Sequence, residues 1–264
     1  MLSARMTNSI HPTAIISDKA VIGPDCHIGP YCTIGGEVTL GYGVRLDSHV
    51  VIDGRTSIGD ETRVYPFVSI GLAPQDLKYA GEPTSTQIGE RNHIREFVTI
   101  HRGTAGGGGT TRIGNDNLLM AQAHVAHDCQ LGNEIVMANA ATLAGHVEIA
   151  DRASIGAYSG VHQFCRVGLE AFVGGYSVVV KDAMPYATIQ GNHAKCYGLN
   201  TLGMKRRGYS RDAIEKLSRA FHLLLSAKLN TTQAVERIKE EFTGSAEVDR
   251  LVRFIETSKR GVVK

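Results

Sequence analysis

A six-residue beat runs through most of this chain. Stepping by six from Ile10 gives Ile16, Ile22, Ile28, Ile34, Leu40, Leu46, Ile52, Ile58, Val64 and Ile70. The beat returns at Ile88, Ile94 and Ile100. It returns again at Ile113 and runs through Leu119, Val125, Leu131, Met137, Leu143, Ile149, Ile155, Val161, Val167, Val173 and Val179. All 26 positions are aliphatic in a chain that is 42% hydrophobic, which chance does not give. Repetition at a short fixed period marks a solenoid, and a hexad marks a parallel β-helix.

The other columns of the hexad agree. Two residues before each beat sits a small or β-branched residue, as in Ala14, Ala20, Cys26, Cys32, Val38, Val44 and Val50. The residue after the beat is often glycine, as in Gly23, Gly29, Gly35, Gly59, Gly89, Gly132 and Gly168. Glycine tolerates the dihedrals of a tight corner, so these positions are read as the corners. Each hexad is then one short strand plus a corner, and three hexads close an 18-residue triangular coil. The expected organisation is a β-helix over residues 1–194 with two inserted loops, 71–87 and 101–112. A helical domain over 195–264 follows.

That tail departs from the rest in pattern and charge. It carries 15 Lys+Arg against 8 Asp+Glu, whereas the whole chain is only +2. Its apolar residues follow helical spacing: Ile214, Leu217, Phe221 and Leu224, then Val235, Ile238 and Phe242, then Val248, Leu251, Val252 and Ile255. Ser210, Thr231 and Ser245 are the expected N-caps of three helices. A basic cap suits an acidic partner.

Composition sets further bounds. The chain holds no apolar run long enough to span a membrane. The N-terminal MLSARMTNS lacks the apolar stretch of a signal peptide. Cys26, Cys32, Cys129 and Cys165 fall in the small inward column and read as buried fillers, which fits a thiol-reduced cytoplasmic protein. Nothing in the sequence asks for a nucleic-acid partner, a metal or a cofactor.

Function is expected where the beat breaks. Both insertions leave the coil after beats of the same face, Ile70 and Ile100, and the histidines gather at that edge. His101 follows Ile100, His127 follows Val125, His146 follows Leu143 and His162 follows Val161. His124 is read as the corner leading into that face. Residues 18 apart stack roughly 4.8 Å apart. His127, Gly145, His146, His162 and Gln163 should therefore form one polar ladder.

Histidine, with an unperturbed pKa of roughly 6.5, can accept a proton at neutral pH. Asp128 could fix the tautomer of His127, provided a corner turns the two neighbours the same way. Gly145 leaves a backbone N–H open to a developing oxyanion. There is no G-x-S-x-G elbow, and the cysteines near His127 and His162, Cys129 and Cys165, read as inward. Direct attack by a substrate hydroxyl on an acyl thioester is thus more economical than a covalent enzyme intermediate.

At this level of detail the chain resembles a known family. The carrying motifs are Gln75-Asp76-Leu77-Lys78-Tyr79-Ala80-Gly81-Glu82-Pro83-Thr84, Ile94-Arg95-Glu96, Val98-Thr99-Ile100-His101-Arg102-Gly103-Thr104, Asn117-Leu118-Leu119-Met120 and Ala126-His127-Asp128-Cys129. Ala144-Gly145-His146, Val161-His162-Gln163-Phe164-Cys165, Gln190-Gly191-Asn192-His193 and Lys205-Arg206-Arg207-Gly208 extend the match. Together they resemble the acyl-[acyl-carrier-protein]–UDP-N-acetylglucosamine O-acyltransferases of lipid A biosynthesis, across essentially the whole chain.

The resemblance implies a left-handed β-helix, in spite of the usual right-handed crossover. It implies a homotrimer with active sites between adjacent subunits. The implied reaction moves a 3-hydroxyacyl chain from acyl carrier protein to the 3-hydroxyl of UDP-N-acetylglucosamine. His127 would be the base, Asp128 its orienting acid and Gly145 the oxyanion donor. Asp76, Lys78, His101, His124, His146, His162 and Gln163 would line the substrate cleft. Asn200, Arg206 and Arg207 would hold the nucleotide, since guanidinium groups match phosphate oxygens. Gly175 and His193 would line the acyl groove, where Gly175, lacking a side chain, favours a longer chain.

One departure is Leu202, where the family often has Glu. It leaves open whether the acceptor carries a 3-hydroxyl or a 3-amino group. Three rivals stand beside this reading. A zinc hexapeptide carbonic anhydrase would use such a histidine ladder, but would not need the two loops or Lys205-Arg206-Arg207. A sister N-acyltransferase typically has an extra N-terminal domain, for which hexads starting by residue 10 leave no room. A scaffolding solenoid would be indifferent to loss of His127.

Overall fold

A computed structural model describes residues 7–264, so Met1–Met6 and most of the leader reading of MLSARMTNS lie outside the described residues. The hexads form a left-handed parallel β-helix of three sheets. The first sheet has eleven strands, from Ser9–Ile10 to Lys195–Leu199. The second has nine, from Ile15–Ile16 to Val178–Val179, and the third has eight, from Val21–Ile22 to Arg166–Val167. Most strands are two residues long and pair with the strand one coil on, as in Ile10 with Ile28. Across the insertions Val64 pairs with Ile94 and Ile94 with Leu119. The extra residues therefore loop out while the stack stays in register.

The beat residues and the column two before them fill the prism. Ile28, Leu46, Ile52, Ile70, Ile94, Ile100, Leu119, Val125 and Leu143 are all fully buried. Cys26, Cys32, Cys129 and Cys165 are buried and unpaired, with burial pushing the Cys129 thiol up to about 12. Polar residues also enter this column. Asn117 donates to Asn92 Oδ1 at 2.9 Å and to the Gly132 carbonyl at 3.1 Å, so the buried amides satisfy each other and the backbone.

The corners correct the sequence reading. The left-handed residue stands three after the beat and is usually not glycine. Asp25, Tyr31, His49, Phe67, Asp128, His146 and Phe164 all have φ between 58° and 63°. Such a conformation costs about 1–2 kcal/mol for a non-glycine residue. In return the N–H typically meets an acceptor one coil below, as in His49 to the Pro30 carbonyl and His146 to the His127 carbonyl, both 3.0 Å. The glycine directly after the beat has another purpose. A Cβ on Gly29 would lie 2.8 Å from the Asp47 carbonyl oxygen of the next coil, and one on Gly23 2.5 Å from that of Gly41. Close coil-to-coil approach, not φ, requires glycine there.

The first sheet continues past residue 194. Lys195–Leu199 folds back antiparallel on Ala187–Gln190. Four helices follow: α1 (Thr201–Arg206), α2 (Arg211–Leu225), α3 (Thr231–Glu241) and α4 (Ala246–Glu256). The short α1 is one more than the periodicity predicts. The cap of α3 is Asn230 rather than Thr231; its side chain and that of Gln233 form a reciprocal capping box. Ser210 caps α2, whereas Ser245 precedes α4 without a side-chain cap bond. The predicted apolar stripes are buried, with Leu217, Ile238 and Leu251 fully so. After α4 the chain returns to the coil stack, where Val263 N–H donates to the Asp182 carbonyl at 2.9 Å. No helix among the described residues is long and apolar enough to cross a membrane.

Candidate active site

The stack brings one group of predicted residues together at the edge between the second and third sheets. His127 stands two after Val125, Gly145 two after Leu143 and Gln163 two after Val161, so they form one column. The left-handed corner at Asp128 (φ 61°) turns its carboxylate back beside His127. Asp128 Oδ2 accepts from His127 Nδ1 at 2.8 Å. That fixes the tautomer and leaves Nε2 bare. The Asp128 side chain is fully buried, and His127 keeps 17% exposure.

His146 closes the site from the coil above. Its ring meets that of His127 edge-on at 5.1 Å and stacks on Phe164 at 4.3 Å. Burial lowers the pKa of His146, against an opposing pull from Asp128 and, more weakly, Asp76. Asp76 is half-buried in the first insertion, where its Oδ1 accepts the Lys78 N–H at 3.0 Å. Lys78 is exposed on the same loop.

The Gly145 N–H has no hydrogen-bond partner among the described residues. A Cβ at Gly145 would lie 2.5 Å from His127 Cε1, so glycine is also needed to admit the ring. His162 and Gln163 are exposed above it, with the His162 ring near the Gln163 carbonyl at 3.1 Å.

His101 and His124 lie on the second sheet beside this edge, their rings edge-on at 5.2 Å. His124 is part of the strand itself, not the corner before it, and its Nδ1 lies 2.6 Å from Thr99 Oγ1. Burial, then the His124 and His127 charges, push the pKa of His101 down to about 4. It is neutral at working pH.

The remaining predicted residues sit on the other two edges of the same chain. Asn200 and Arg207 lie at the edge between the third and first sheets. Asn200 Nδ2 donates to the Glu170 carbonyl at 3.3 Å while its Oδ1 caps α1. Arg207 pairs with Glu134 at 3.3 Å. With Arg206, Leu202, Arg152 and Glu170 they line a cleft of about 650 Å³. Gly175 stands at the edge between the first and second sheets, beside Tyr176. His193 is exposed in the turn before Lys195. A single chain therefore does not bring His127 together with Asn200 and Arg207 or with Gly175.

The sequence reading missed the partners of Asp128 in the second insertion. Thr104 donates to both carboxylate oxygens, from its N–H at 2.9 Å and its Oγ1 at 2.6 Å. Thr111 Oγ1 accepts the Asp128 N–H at 2.8 Å, replacing the carbonyl used at most other corners. A Cβ on Gly107 would collide with the Asp128 carboxylate. The glycine run 106–109 was the available signal.

His127, Asp128 and His146 hold three donor atoms within 4.8 Å of one another. The Asp128 oxygens nonetheless already accept three hydrogen bonds, from His127 and twice from Thr104. That is the pattern of an oriented base rather than of free metal ligands.

Coil repeat, helical cap and histidine edge together define a hexapeptide-repeat β-helix protein with a site on its rim. Residues 182–263 match the family described as UDP N-acetylglucosamine O-acyltransferase, domain 2. The solved structure of LpxA from Acinetobacter baumannii is 44% identical, with a TM-score of 0.94 over 97% of this chain and 99% of that one. LpxA from Moraxella catarrhalis is 45% identical, with a TM-score of 0.93 and the same coverage. The UDP-N-acetylglucosamine acyltransferase of Arabidopsis is 32% identical, with a TM-score of 0.86 over 97% of this chain and 100% of that one. The chain belongs to the LpxA family of UDP-N-acetylglucosamine acyltransferases.

Proposed function

We propose that this protein transfers a 3-hydroxyacyl group from acyl carrier protein to the 3-hydroxyl of UDP-N-acetylglucosamine, the entry step of lipid A biosynthesis. The observation that carries the reading is the His127–Asp128 pair at 2.8 Å beneath a glycine whose N–H has no partner among the described residues. His127 Nε2 takes the proton of the sugar hydroxyl as its oxygen attacks the thioester carbonyl. The Gly145 N–H receives the oxyanion. Collapse expels the carrier thiolate, which recovers the proton from His127. Asp128 keeps accepting the Nδ1–H and holds the imidazolium in place.

The site is completed by a second copy in a homotrimer. Two observations support this. Across nine coils the outward residues of the second sheet (Ile15, Thr33, Val51, Ser69, Thr99, His124, Thr142, Gly160, Val178) include no Lys, Arg, Asp or Glu. The other sheets carry Arg45 and Arg63, and Arg112, Glu148 and Arg166. The edge beside this face is an aromatic ladder: Tyr31, His49, Phe67 and Phe97 stack at 4.9–5.1 Å, and Tyr158 on Tyr176 at 5.2 Å. An uncharged face bordered by half-exposed aromatics suits burial against a protein. Such packing would bring the Gly175 edge of one chain towards the His127 edge of the next. Arg206 and Arg207 would then flank the shared cleft, and the basic helical cap would face the acidic carrier.

Transfer to a 3-amino sugar uses the same base and stays the alternative. Initial rates with UDP-N-acetylglucosamine, its 3-amino analogue and a panel of carrier-protein thioesters separate the two. O-acylated product is expected, with longer chains preferred because Gly175 leaves the groove open. Acylation of the amine alone would replace this assignment.

A further inference from the structure

We infer that Thr104 is a positioning residue for the catalytic pair and that the second insertion exists to supply it. This rests on the proposed function above. Thr104 precedes the 3-10 turn Ala105–Gly107, in extended conformation (φ −119°, ψ 155°). A threonine there ordinarily turns its hydroxyl to the free N–H groups of the turn. Here no side-chain cap bond forms. The hydroxyl donates instead to Asp128 Oδ2 at 2.6 Å, while the Thr104 N–H donates to Oδ1 at 2.9 Å.

The turn is held without the hydroxyl. The Thr104 carbonyl accepts from Gly107 N–H at 3.0 Å and from Gly109 N–H at 2.9 Å. The loop base is strapped to the first insertion, Gly103 N–H to the Ser85 carbonyl at 3.1 Å and Ser85 N–H to the Gly109 carbonyl at 2.8 Å. The hydroxyl is thus spare for the loop and spent on the carboxylate. Gly103 and Gly107 make the approach possible. A Cβ on Gly103 would lie 2.8 Å from Asp128 Oδ1, and one on Gly107 would overlap the carboxylate.

The consequence is geometric. Thr104 clamps both oxygens, so the carboxylate cannot rotate about its Cβ–Cγ bond. Oδ2, the oxygen that accepts the His127 Nδ1–H, is held in the plane of that bond. With the Thr104 hydroxyl gone, Oδ2 is held by the imidazole alone and the carboxylate turns more easily. The Nδ1–H tautomer then loses its advantage, and a fraction of His127 presents a protonated Nε2 that cannot act as a base. Base catalysis falls while substrate binding does not change, because Thr104 is itself buried behind Asp128.

The test uses the full-length protein with Thr104→Val and Thr104→Ser. Valine keeps the shape and removes the donor, and serine keeps the donor. The expected result for Thr104→Val is a fall in kcat of about tenfold, the scale of one lost charge-assisted hydrogen bond. KM for UDP-N-acetylglucosamine stays unchanged, and Thr104→Ser returns kcat to within about twofold of the parent. Ring 15N shifts of His127, which need no turnover, are expected to report one Nδ1–H tautomer in the parent and the serine variant, and a mixture in the valine variant. Unchanged kcat and an unchanged tautomer in Thr104→Val would overturn the inference, as would equal impairment of both variants. An inactive parent with a single tautomer lost only in the valine variant would sink the proposed reaction but uphold the positioning role.

Discussion

Replacing His127 by alanine is expected to lower kcat by roughly 10²–10⁴, the range of a well-placed general base, with the thermal unfolding midpoint nearly unchanged. The argument is that no neighbour can substitute. His146 has the wrong attachment: its Nδ1 lies 3.8 Å from Asp128 Oδ2, beyond hydrogen-bond distance, and its ring is stacked on Phe164. His124 is engaged by Thr99, and His101 is buried on the adjacent face. Folding should survive because His127 packs at the rim, outside the column of aliphatics that fills the prism. Initial rates at saturating substrate, beside unfolding midpoints, make the check. A variant retaining a tenth or more of parental turnover would remove His127 from the role of base.

Gly145→Ala is expected to cost a comparable 10²–10³ in kcat, although it adds only one methyl group. That methyl would lie 2.5 Å from His127 Cε1 and 2.8 Å from Nε2. Its φ is outside the left-handed region, so the backbone itself tolerates alanine. The loss must come from the site: the ring is pushed from its hydrogen bond with Asp128, and the free N–H is screened from substrate. The double variant with His127→Ala should be scarcely worse than either single change, because both remove one device. Independent, multiplying losses would mean that glycine serves something other than the base and its oxyanion.

Much of the fold was legible because the hexad is both a burial pattern and a ruler. Counting by 18 places His127, Gly145 and Gln163 in one column from the sequence alone. The same counting put both insertions at one edge. The function of the post-beat glycines was misread because a sequence does not distinguish a glycine needed for its φ from one needed for closeness. Gly29 is crowded by the Asp47 carbonyl while its left-handed neighbour is Tyr31. Thr104 was hidden for a different reason. It lies 24 residues from Asp128 in an insertion, where the ruler does not apply.

The helical cap was less readable. Asn230 and Thr231 are both good N-cap residues, and the reciprocal bond with Gln233 decides between them. Helix α1 has six residues and includes Gly203, too short a run for a periodicity to emerge. The location of Asn200 and Arg207 on a different edge from His127 depends on how the cap folds back onto Glu170 and Glu134, which no local pattern encodes.

That separation gives the most direct test of the account, in which the base of one subunit serves a nucleotide held by another. His127→Ala protein and Arg206→Ala/Arg207→Ala protein should each be nearly inactive alone. After co-refolding into mixed oligomers, acyl transfer is predicted to return, because some clefts pair an intact base with intact arginines. Activity that stays at the level of the two separate variants would contradict a site shared between chains.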